Sequence, residues 1–505
     1  MLHSEELFNK LWGAADILRG SIDSGDYKDY IFAYFFLKRC SDVFFEEAQK
    51  ILAETNDPDQ AYNDPDEHTL FIPEHSRWTH LETISANYGN ALNVAFAQLE
   101  EHDSNTEKLA GIFKGLDFMD ERKLGDLNQS DTIHRKLIEH FSKLNLRNDN
   151  LAEPDLMGRA YEYLIEKFAD DAGKKGGEFY TPKTVVELLV CLLDPQPAMR
   201  ICDPTCGSGG MLIQSAKYVH KLEPRPRRGA PLNLSLYGQE KNGSTWAICK
   251  MNLLLHDLPD ATIIRGDTIA APGLLQDGAL RLFDRVIANP PFSLDQWGIE
   301  HAESDGFRRF THGVPPKSKG DFAFVQHMIA TTNQTGRAGV IVPHGVLFRG
   351  GAEAKIRQSI LEQDLFEAII SLPSNLFYGT GIPAAILIFN RAKKLERQNK
   401  VLFIDASAYY QESKKQNTLR TEDIERINHA YTVFTDQDKF AKVVTLQDIK
   451  QNDFNLNISR YVATAEPEAE IDLVAEIKKL RQLEQQRATA EAEVNKHLRD
   501  LGFEL

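Results

Sequence analysis

The stretch Asn289-Pro290-Pro291-Phe292 directly follows an apolar strand predicted over Phe283–Ala288. Its prolines fix the backbone and remove two N–H donors, so the loop presents carbonyl oxygens. Asn289 adds a side-chain acceptor, and Phe292 adds a flat ring for stacking. Acceptors that bind both hydrogens of an aromatic amino group draw its nitrogen towards tetrahedral geometry and free its lone pair. The tetrad therefore suits attack by such a nitrogen, and the alternative is a rigid turn at a strand end.

A glycine-rich turn, Ile201–Leu212, joins a predicted strand to a predicted helix. Gly207, Gly209 and Gly210 lack Cβ atoms where the backbone must turn tightly and approach a ligand. The start of the following helix offers free N–H groups to an anion, and Asp203 can accept from an ammonium or hydroxyl group. A tight turn or a nicotinamide-dinucleotide site is the alternative, although the spacing G-x-G-G departs from the dinucleotide fingerprint. No ATPase-type phosphate loop occurs, so ATP hydrolysis is not expected.

Acidic residues also follow the next strands of this region. Glu240 comes directly after Leu236–Gln239, where its carboxylate suits a ribose at the sheet edge. Asp267 ends the third strand and suits an adenine amino group. Each acid alone is equally compatible with a solvated loop, but successive strand ends that carry such residues favour a nucleoside site.

Strand and helix patterns alternate after about residue 150. Candidate strands are Arg200–Cys202, Leu234–Gly238, Thr262–Arg265, Phe283–Ala288, Gly339–Val342, Ala368–Ser371, Ala384–Phe389 and Val401–Ile404. Candidate helices are Val185–Leu193, Gly210–His220, Ser244–Leu255, Phe322–Thr332 and Ala354–Leu361. This alternation predicts a doubly wound, largely parallel α/β sheet. Such sheets bind ligands at the carboxyl ends of their strands.

The flanking regions have helical patterns. Within residues 1–150, Ile31–Leu37 predicts a helix that is buried or faces a partner. Asn56–Trp78 is polar and interrupted by prolines, which predicts a long loop. Amphipathic stretches follow near Leu81–Leu99 and Ile133–Leu144. From about Glu468 the chain predicts one long helix, which favours packing on a partner over a solvated terminal helix.

Composition excludes several classes of protein. The 505 residues are 42% hydrophobic and 26% charged, which excludes general disorder. Lys and Arg number 58 and Asp and Glu number 74, and the net charge of −16 argues against coating nucleic acid by charge alone. No apolar run approaches the ~20 residues of a membrane span, and no signal peptide is evident. The five cysteines give no disulfide framework, so a cytoplasmic location is expected.

Asp203–Gly210 together with Asn289–Phe292 resembles the amino-methyltransferases that use S-adenosylmethionine on DNA. The closest resemblance is to the modification subunit of type I restriction–modification systems. It extends from about residue 25 to 462 through Tyr27–Tyr30, Phe36–Asp42, Gly177–Pro182 and Phe454–Val462. The resemblance implies an N6-adenine DNA methyltransferase on a Rossmann-like α/β sheet, with an N-terminal helical domain and a C-terminal helical extension.

The resemblance also implies roles for individual residues. The catalytic residues are Asn289, Pro290, Pro291 and Phe292. Cofactor binding falls to Glu178, Phe179, Tyr180, Thr181, Pro182, Lys183, Asp203, Thr205, Gly207, Ser208, Gly209, Gly210, Glu240 and Asp267. Thr181 and Pro182 equally suit a helix cap and first turn. Asp321 matches a family position near the cofactor and target base. No metal is expected, because Cys202 and Cys206 lack a second ligand pair.

The implied domains are a helical domain at 1–150, a methyltransferase domain at 151–445 and a helical tail at 446–505 that contacts the specificity subunit. The implied partners are double-stranded DNA with a flipped adenine, the specificity subunit that reads sequence, a second copy of this chain and the restriction subunit. No membrane is involved. The loop with Arg308, Arg309, Lys317 and Lys319 suits phosphate contact or is simply solvated.

Other functions remain open at this point. Loops like Asn289–Phe292 also occur in methyltransferases that act on cytosine N4 or on glutamine side chains. A cofactor-binding scaffold without catalytic activity is a further alternative, which the intact tetrad disfavours.

Overall fold

The computed structural model of the protein describes residues 1–19, 24–153, 155–172, 180–225, 231–377, 381–413, 416–463 and 473–500. The helices of the first part are α1 Ser4–Leu18, α2 Ser24–Thr55, α3 Pro58–Asn63, α4 Trp78–Leu81, α5 Tyr88–Glu101, α6 Asp103–Leu109, α7 Glu121–Leu124, α8 Leu127–Ser142 and α9 Leu156–Ala172. They confirm the predicted helical N-terminal region. Among the described residues, every helix is too short or too polar to cross a lipid bilayer.

Helix α2 is the centre of this N-terminal region. Every residue from Ile31 to Leu37 is buried, which confirms the first of the two predicted environments. Tyr34 stacks on Phe141, and its hydroxyl group lies 2.8 Å from Nδ1 of His134 on α8. The predicted loop Asn56–Trp78 contains the short helix α3, whose first N–H groups are capped by Asp57. Aromatic packing around one buried helix therefore holds this region together.

The rest of the chain alternates strands with helices. The strands are β1 Arg200–Asp203, β2 Ser235–Glu240, β3 Thr262–Arg265, β4 Leu275–Gln276, β5 Ala279–Leu280, β6 Phe283–Ala288, β7 Thr332–Pro343, β8 Phe366–Ser371, β9 Ala384–Asn390, β10 Lys400–Asp405 and β11 Ala441–Thr445. The helices are α10 Lys183–Leu193, α11 Gly210–Leu222, α12 Gly243–Leu255, α13 Asp321–Thr331, α14 Ala352–Glu362, α15 Thr421–Val433 and α16 Leu446–Gln451, followed by α17 Leu473–Asp500.

One large sheet has the order β11-β10-β8-β9-β7-β6-β1-β2-β3, which confirms the predicted α/β class. Strands β3, β2, β1, β6 and β7 are parallel, as are β8 and β10. The sheet is nevertheless mixed rather than largely parallel, since β9 is antiparallel to β7 and β8, and β11 is antiparallel to β10. Strand β11 and the hairpin β4–β5 were not predicted from the sequence.

The strand order reverses at β1, which lies between β2 and β6. Asp203 ends β1, and Asn289 follows β6 at the same edge of the sheet. In open α/β sheets a ligand crevice forms at such a switch point, outside the carboxyl ends of the strands. The fold therefore brings the two predicted motifs to one crevice.

The chain divides into two compact units, residues 1–462 and 463–505. Residues 446–462, predicted to belong to the tail, lie in the first unit, where Leu456, Ile458 and Val462 are buried. In the second unit α17 agrees with the predicted C-terminal helix, and residues 468–472, where that prediction began, lie outside the described residues. The functional division into three domains stays a prediction.

An ionic cluster joins α9 to α11 and α12. His256, at the end of α12, lies 3.0 Å from Oδ1 of Asp155 and 3.2 Å from Oε1 of Glu162. Lys217 on α11 lies within 3.2 Å of both carboxylates. Burial alone would raise the pKa of Asp155 and Glu162, but His256 and Lys217 lower both to about 2. The cluster therefore stays charged and ties the helical region to the sheet layer.

The position of the His256 ring depends on Gly158 of α9. A Cβ atom at Gly158 would lie 2.1 Å from Cε1 of His256. We expect Gly158→Ala to lower the thermal midpoint, at a cost of about 1–3 kcal/mol for overpacking, although alanine favours helices elsewhere. Thermal melting checks this, with Gly115→Ala as the control, because a Cβ atom there meets nothing within 4 Å. An unchanged midpoint would show that the ring does not occupy this notch.

Candidate functional site

A pocket at the switch point contains residues from both predicted motifs. It encloses about 400 Å³ of empty space, which is within the size range of small-molecule sites. Its lining residues are Tyr180, Thr181, Val186, Asp203, Thr205, Cys206, Gly207, Ser208, Gly210, Met211 and Asn289. The structure thus brings the glycine loop, the segment before α10 and the first residue of the tetrad around one cavity.

The glycine loop is held by contacts from two neighbouring elements. Gly209 has φ of +84°, and a Cβ atom there would lie 2.9 Å from Sγ of Cys249 on α12. The amide of Asn252, also on α12, donates to the carbonyl oxygen of Ser208 at 2.9 Å. The Gly207 N–H donates to Glu240 Oε2 at 3.0 Å. The loop backbone is therefore fixed from β2 and α12 before any ligand binds.

Asn252 was not found from the sequence. Its signal was a single polar residue within the apolar Ile248–Leu255 segment of a helix, where 1% exposure of the side chain demands a partner. Cys249 likewise lies behind the loop, with its Sγ 3.8 Å from Sγ of Cys206. Both residues act as support for the loop.

The acids at the strand ends differ in their electrostatics. Burial raises the pKa of Asp203 to about 8, against the lowering effect of the Thr205 N–H that its carboxylate accepts at 3.0 Å. Burial also raises the pKa of Glu240. For Asp267 burial acts in the same direction, but the Lys241 ammonium at 2.8 Å and nearby backbone N–H groups lower its pKa overall. Asp203 and Glu240 thus favour the arrival of a cationic or hydroxyl donor.

Asn289 is oriented by the segment before α10. Its Nδ2 donates to Oγ1 of Thr181 at 2.9 Å, and its Oδ1 is buried without a hydrogen-bond partner. Oγ1 of Thr205, on the opposite loop, is also buried without a partner. Buried acceptors of this kind cost free energy unless a ligand completes them. The pocket therefore holds an unsatisfied side-chain acceptor at the position where the sequence predicted one.

The other tetrad residues are held in place by packing. Pro290 is buried, and Phe292 is half-buried, with its ring centroid 5.6 Å from that of Phe377 at 67°. The following residue, Ser293, has a left-handed backbone with φ of +50°. Its N–H donates to Oδ1 of Asp321 at 2.7 Å, and Arg349 binds Oδ2 of Asp321 at 3.2 Å. Asp321, at the start of α13, thus fixes the end of the tetrad.

The structure corrects one predicted phosphate contact. Arg309 is 3% exposed and pairs with Asp305 at 2.8 Å. It also donates to the carbonyl oxygens of Thr268 and Ile269, so it is a structural residue and is not available to a phosphate. Arg308 and Lys317 are exposed on the same loop.

The predicted cofactor residues before α10 are only partly described. Glu178 and Phe179 lie outside the described residues. Tyr180 and Thr181 line the pocket, Pro182 is buried as the cap of α10, and Lys183 is exposed. The functional roles assigned to these residues stay predictions.

Comparisons with known proteins agree with this geometry. The family model described as N-6 DNA Methylase matches residues 152–470, and the one described as HsdM N-terminal domain matches residues 7–141. The MjaVII methylase subunit, a type I restriction enzyme chain of Methanocaldococcus jannaschii, is 34% identical over 95% of this chain and 82% of its own. The HindI methylase subunit of Haemophilus influenzae is 31% identical over 86% of this chain and 100% of its own.

Solved structures are similar over the same length. The methyltransferase subunit of a type I restriction-modification system from Streptococcus thermophilus superimposes with a TM-score of 0.79 and 32% identity. That similarity covers 92% of this chain and 100% of the other.

The contact between Asp321 and Ser293 predicts a change in local dynamics. We expect Asp321→Ala to speed hydrogen exchange in peptides that cover residues 289–296 at least ~10-fold, because the Ser293 N–H loses its acceptor. Exchange in β6 and in the variant Glu303→Ala, which changes an exposed acid nearby, should match the wild type. Exchange mass spectrometry measures all three. Equal exchange at residues 289–296 would show that Asp321 does not hold the tetrad.

Proposed function

Because this chain belongs to the family of type I restriction enzyme methylase subunits, we propose that it transfers a methyl group from S-adenosylmethionine to N6 of adenine in DNA. The observation that carries the proposal is the buried, unpartnered Oδ1 of Asn289, which lines the same pocket as the glycine loop. An exocyclic amino group is a donor that this acceptor lacks. The neighbouring loop suits the methyl donor.

The residues around the pocket fit S-adenosylmethionine. The raised pKa of Asp203 and Glu240 is the signature of acceptors that await an ammonium or hydroxyl donor. A Cβ atom at Gly210 would meet nothing within 4 Å, so the backbone faces open space there. We assign the cofactor to the glycine loop, Asp203, Glu240, Asp267 and the segment Tyr180–Lys183. When bound, it supplies an electrophilic methyl group on a sulfonium centre.

The residues of the tetrad prepare the nitrogen that attacks. Oδ1 of Asn289 and the carbonyl oxygen of Pro290 accept the two hydrogens of adenine N6, which frees the nitrogen lone pair. Phe292 stacks on the flipped base, and such stacking recovers roughly 1–3 kcal/mol of the cost of flipping. Pro291 stiffens the loop. Catalysis then rests on positioning and electrostatics.

The remaining tasks belong to partners. We propose that a specificity subunit reads the DNA sequence, and that a second copy of this chain and a restriction subunit complete the assembly in the cytoplasm, where the DNA lies. On α17 the side chains of Ile477, Leu480 and Leu483 are at least half exposed. An exposed apolar stripe on a helix is typical of a surface that packs on another chain.

The role of Asn289 is tested by its removal. We expect Asn289→Ala to lower methyl transfer at least ~100-fold, because the base amino group loses an acceptor, while the dissociation constant for S-adenosylmethionine changes less than about threefold. The full chain with its specificity subunit is assayed on unmodified genomic DNA, with N6-methyladenine measured by mass spectrometry and binding by calorimetry. Asn233→Ala, at an exposed position outside the pocket, is the control. Unchanged transfer by Asn289→Ala would defeat the mechanism.

Cofactor binding is expected to depend on pH through Asp203. Its pKa is about 8 in the free protein, so the carboxyl group is protonated at neutral pH and must release a proton to accept from the ligand. Affinity should therefore rise as pH increases towards 8, by up to about tenfold per unit, and level off above it. Asp203→Asn, which cannot titrate, should lose this part of the dependence. Calorimetry between about pH 6 and 9 compares the two proteins, and identical profiles would contradict the assignment.

A further inference from the structure

The side chain of Asn289 has two chemically different ends of almost the same shape. Its Oδ1 accepts hydrogen bonds, whereas its Nδ2 donates them and would repel the hydrogens of an amino group. A half-turn of the amide would therefore replace the acceptor in the pocket by a donor. Something in the protein must select the correct orientation.

Only one contact in the described structure engages Nδ2 of Asn289, and it comes from Thr181 at 2.9 Å. A hydroxyl oxygen accepts this N–H, which turns Oδ1 towards the buried position where it has no partner. Resting on the proposed function, we infer that Thr181 is a positioning residue that sets the amide orientation of Asn289. By resemblance alone it was predicted to bind the cofactor.

Local structure makes Thr181 suited to this task. It precedes Pro182, which restricts its backbone to extended conformations, and Pro182 is itself buried as the cap of α10. Threonine is β-branched, so its side chain has few rotamers. Its hydroxyl group is thus held at one place, although it is separated from Asn289 by 108 residues in sequence.

The matched substitutions are Thr181→Val, which keeps the shape and removes the hydroxyl group, and Thr181→Ser, which keeps the hydroxyl group. Thr184→Val is the control, because Thr184 lies in the first turn of α10 and its Oγ1 has no hydrogen-bond partner. The full chain with its specificity subunit is assayed for kcat on genomic DNA. Binding of S-adenosylmethionine is measured by calorimetry on the same preparations.

We expect Thr181→Val to lower kcat by about 10- to 100-fold, since a misoriented catalytic group costs this much. Its affinity for S-adenosylmethionine should stay within about threefold, which also reports an intact fold. Thr181→Ser and Thr184→Val should retain kcat within about threefold. A cofactor contact would instead weaken affinity more than about tenfold with kcat preserved at saturation. Either that result or unchanged kcat in Thr181→Val would overturn the inference.

A second background separates this inference from the proposed function. In Asn289→Asp both side-chain oxygens accept, so orientation ceases to matter, and adding Thr181→Val should then cost less than about threefold in kcat. The same loss in both backgrounds would show that Thr181 does not act through the amide. Full transfer by Asn289→Ala would defeat the proposed function itself, whatever Thr181 does.

Discussion

The chemistry of this protein depends on one buried oxygen atom that the protein itself leaves without a hydrogen bond. An unsatisfied buried acceptor costs about 1–3 kcal/mol, so the surrounding structure must hold Oδ1 of Asn289 against turning to another partner. Thr181 holds the other end of the amide, and Asp321 holds the backbone just after the tetrad. The acceptor stays available because both of its neighbours are fixed.

The same principle applies on the cofactor side of the pocket. Asp203 and Glu240 are buried without a cation beside them, and their raised pKa values record that cost. The glycine loop between them is fixed by Asn252 and by the Glu240 carboxylate. A ligand with ammonium and hydroxyl groups relieves this cost without rearranging the loop. Preorganisation of this kind is what electrostatic catalysis requires.

Local patterns predicted the elements well and their pairing less well. The bounds of β3 and β6 agree with prediction residue for residue, because short apolar runs between turn residues define them. The direction of β9 was missed, since strand–helix alternation describes neighbours in sequence. The connection 372–383 between β8 and β9 lacks a crossover helix among its described residues, and a parallel connection needs one. That local absence was readable, whereas β9 pairing between β7 and β8 was not.

For the site, sequence patterns favour residues that meet a ligand over residues that hold them. The glycine loop and the tetrad have unusual compositions, whereas Asn252 and Thr181 are ordinary residues whose partners lie 44 and 108 positions away. Arg309 shows the converse error, because a basic residue beside the tetrad suggested a phosphate contact until its burial against Asp305 removed it. Charge and spacing give chemical capacity, and only tertiary contacts decide which atom remains free to use it.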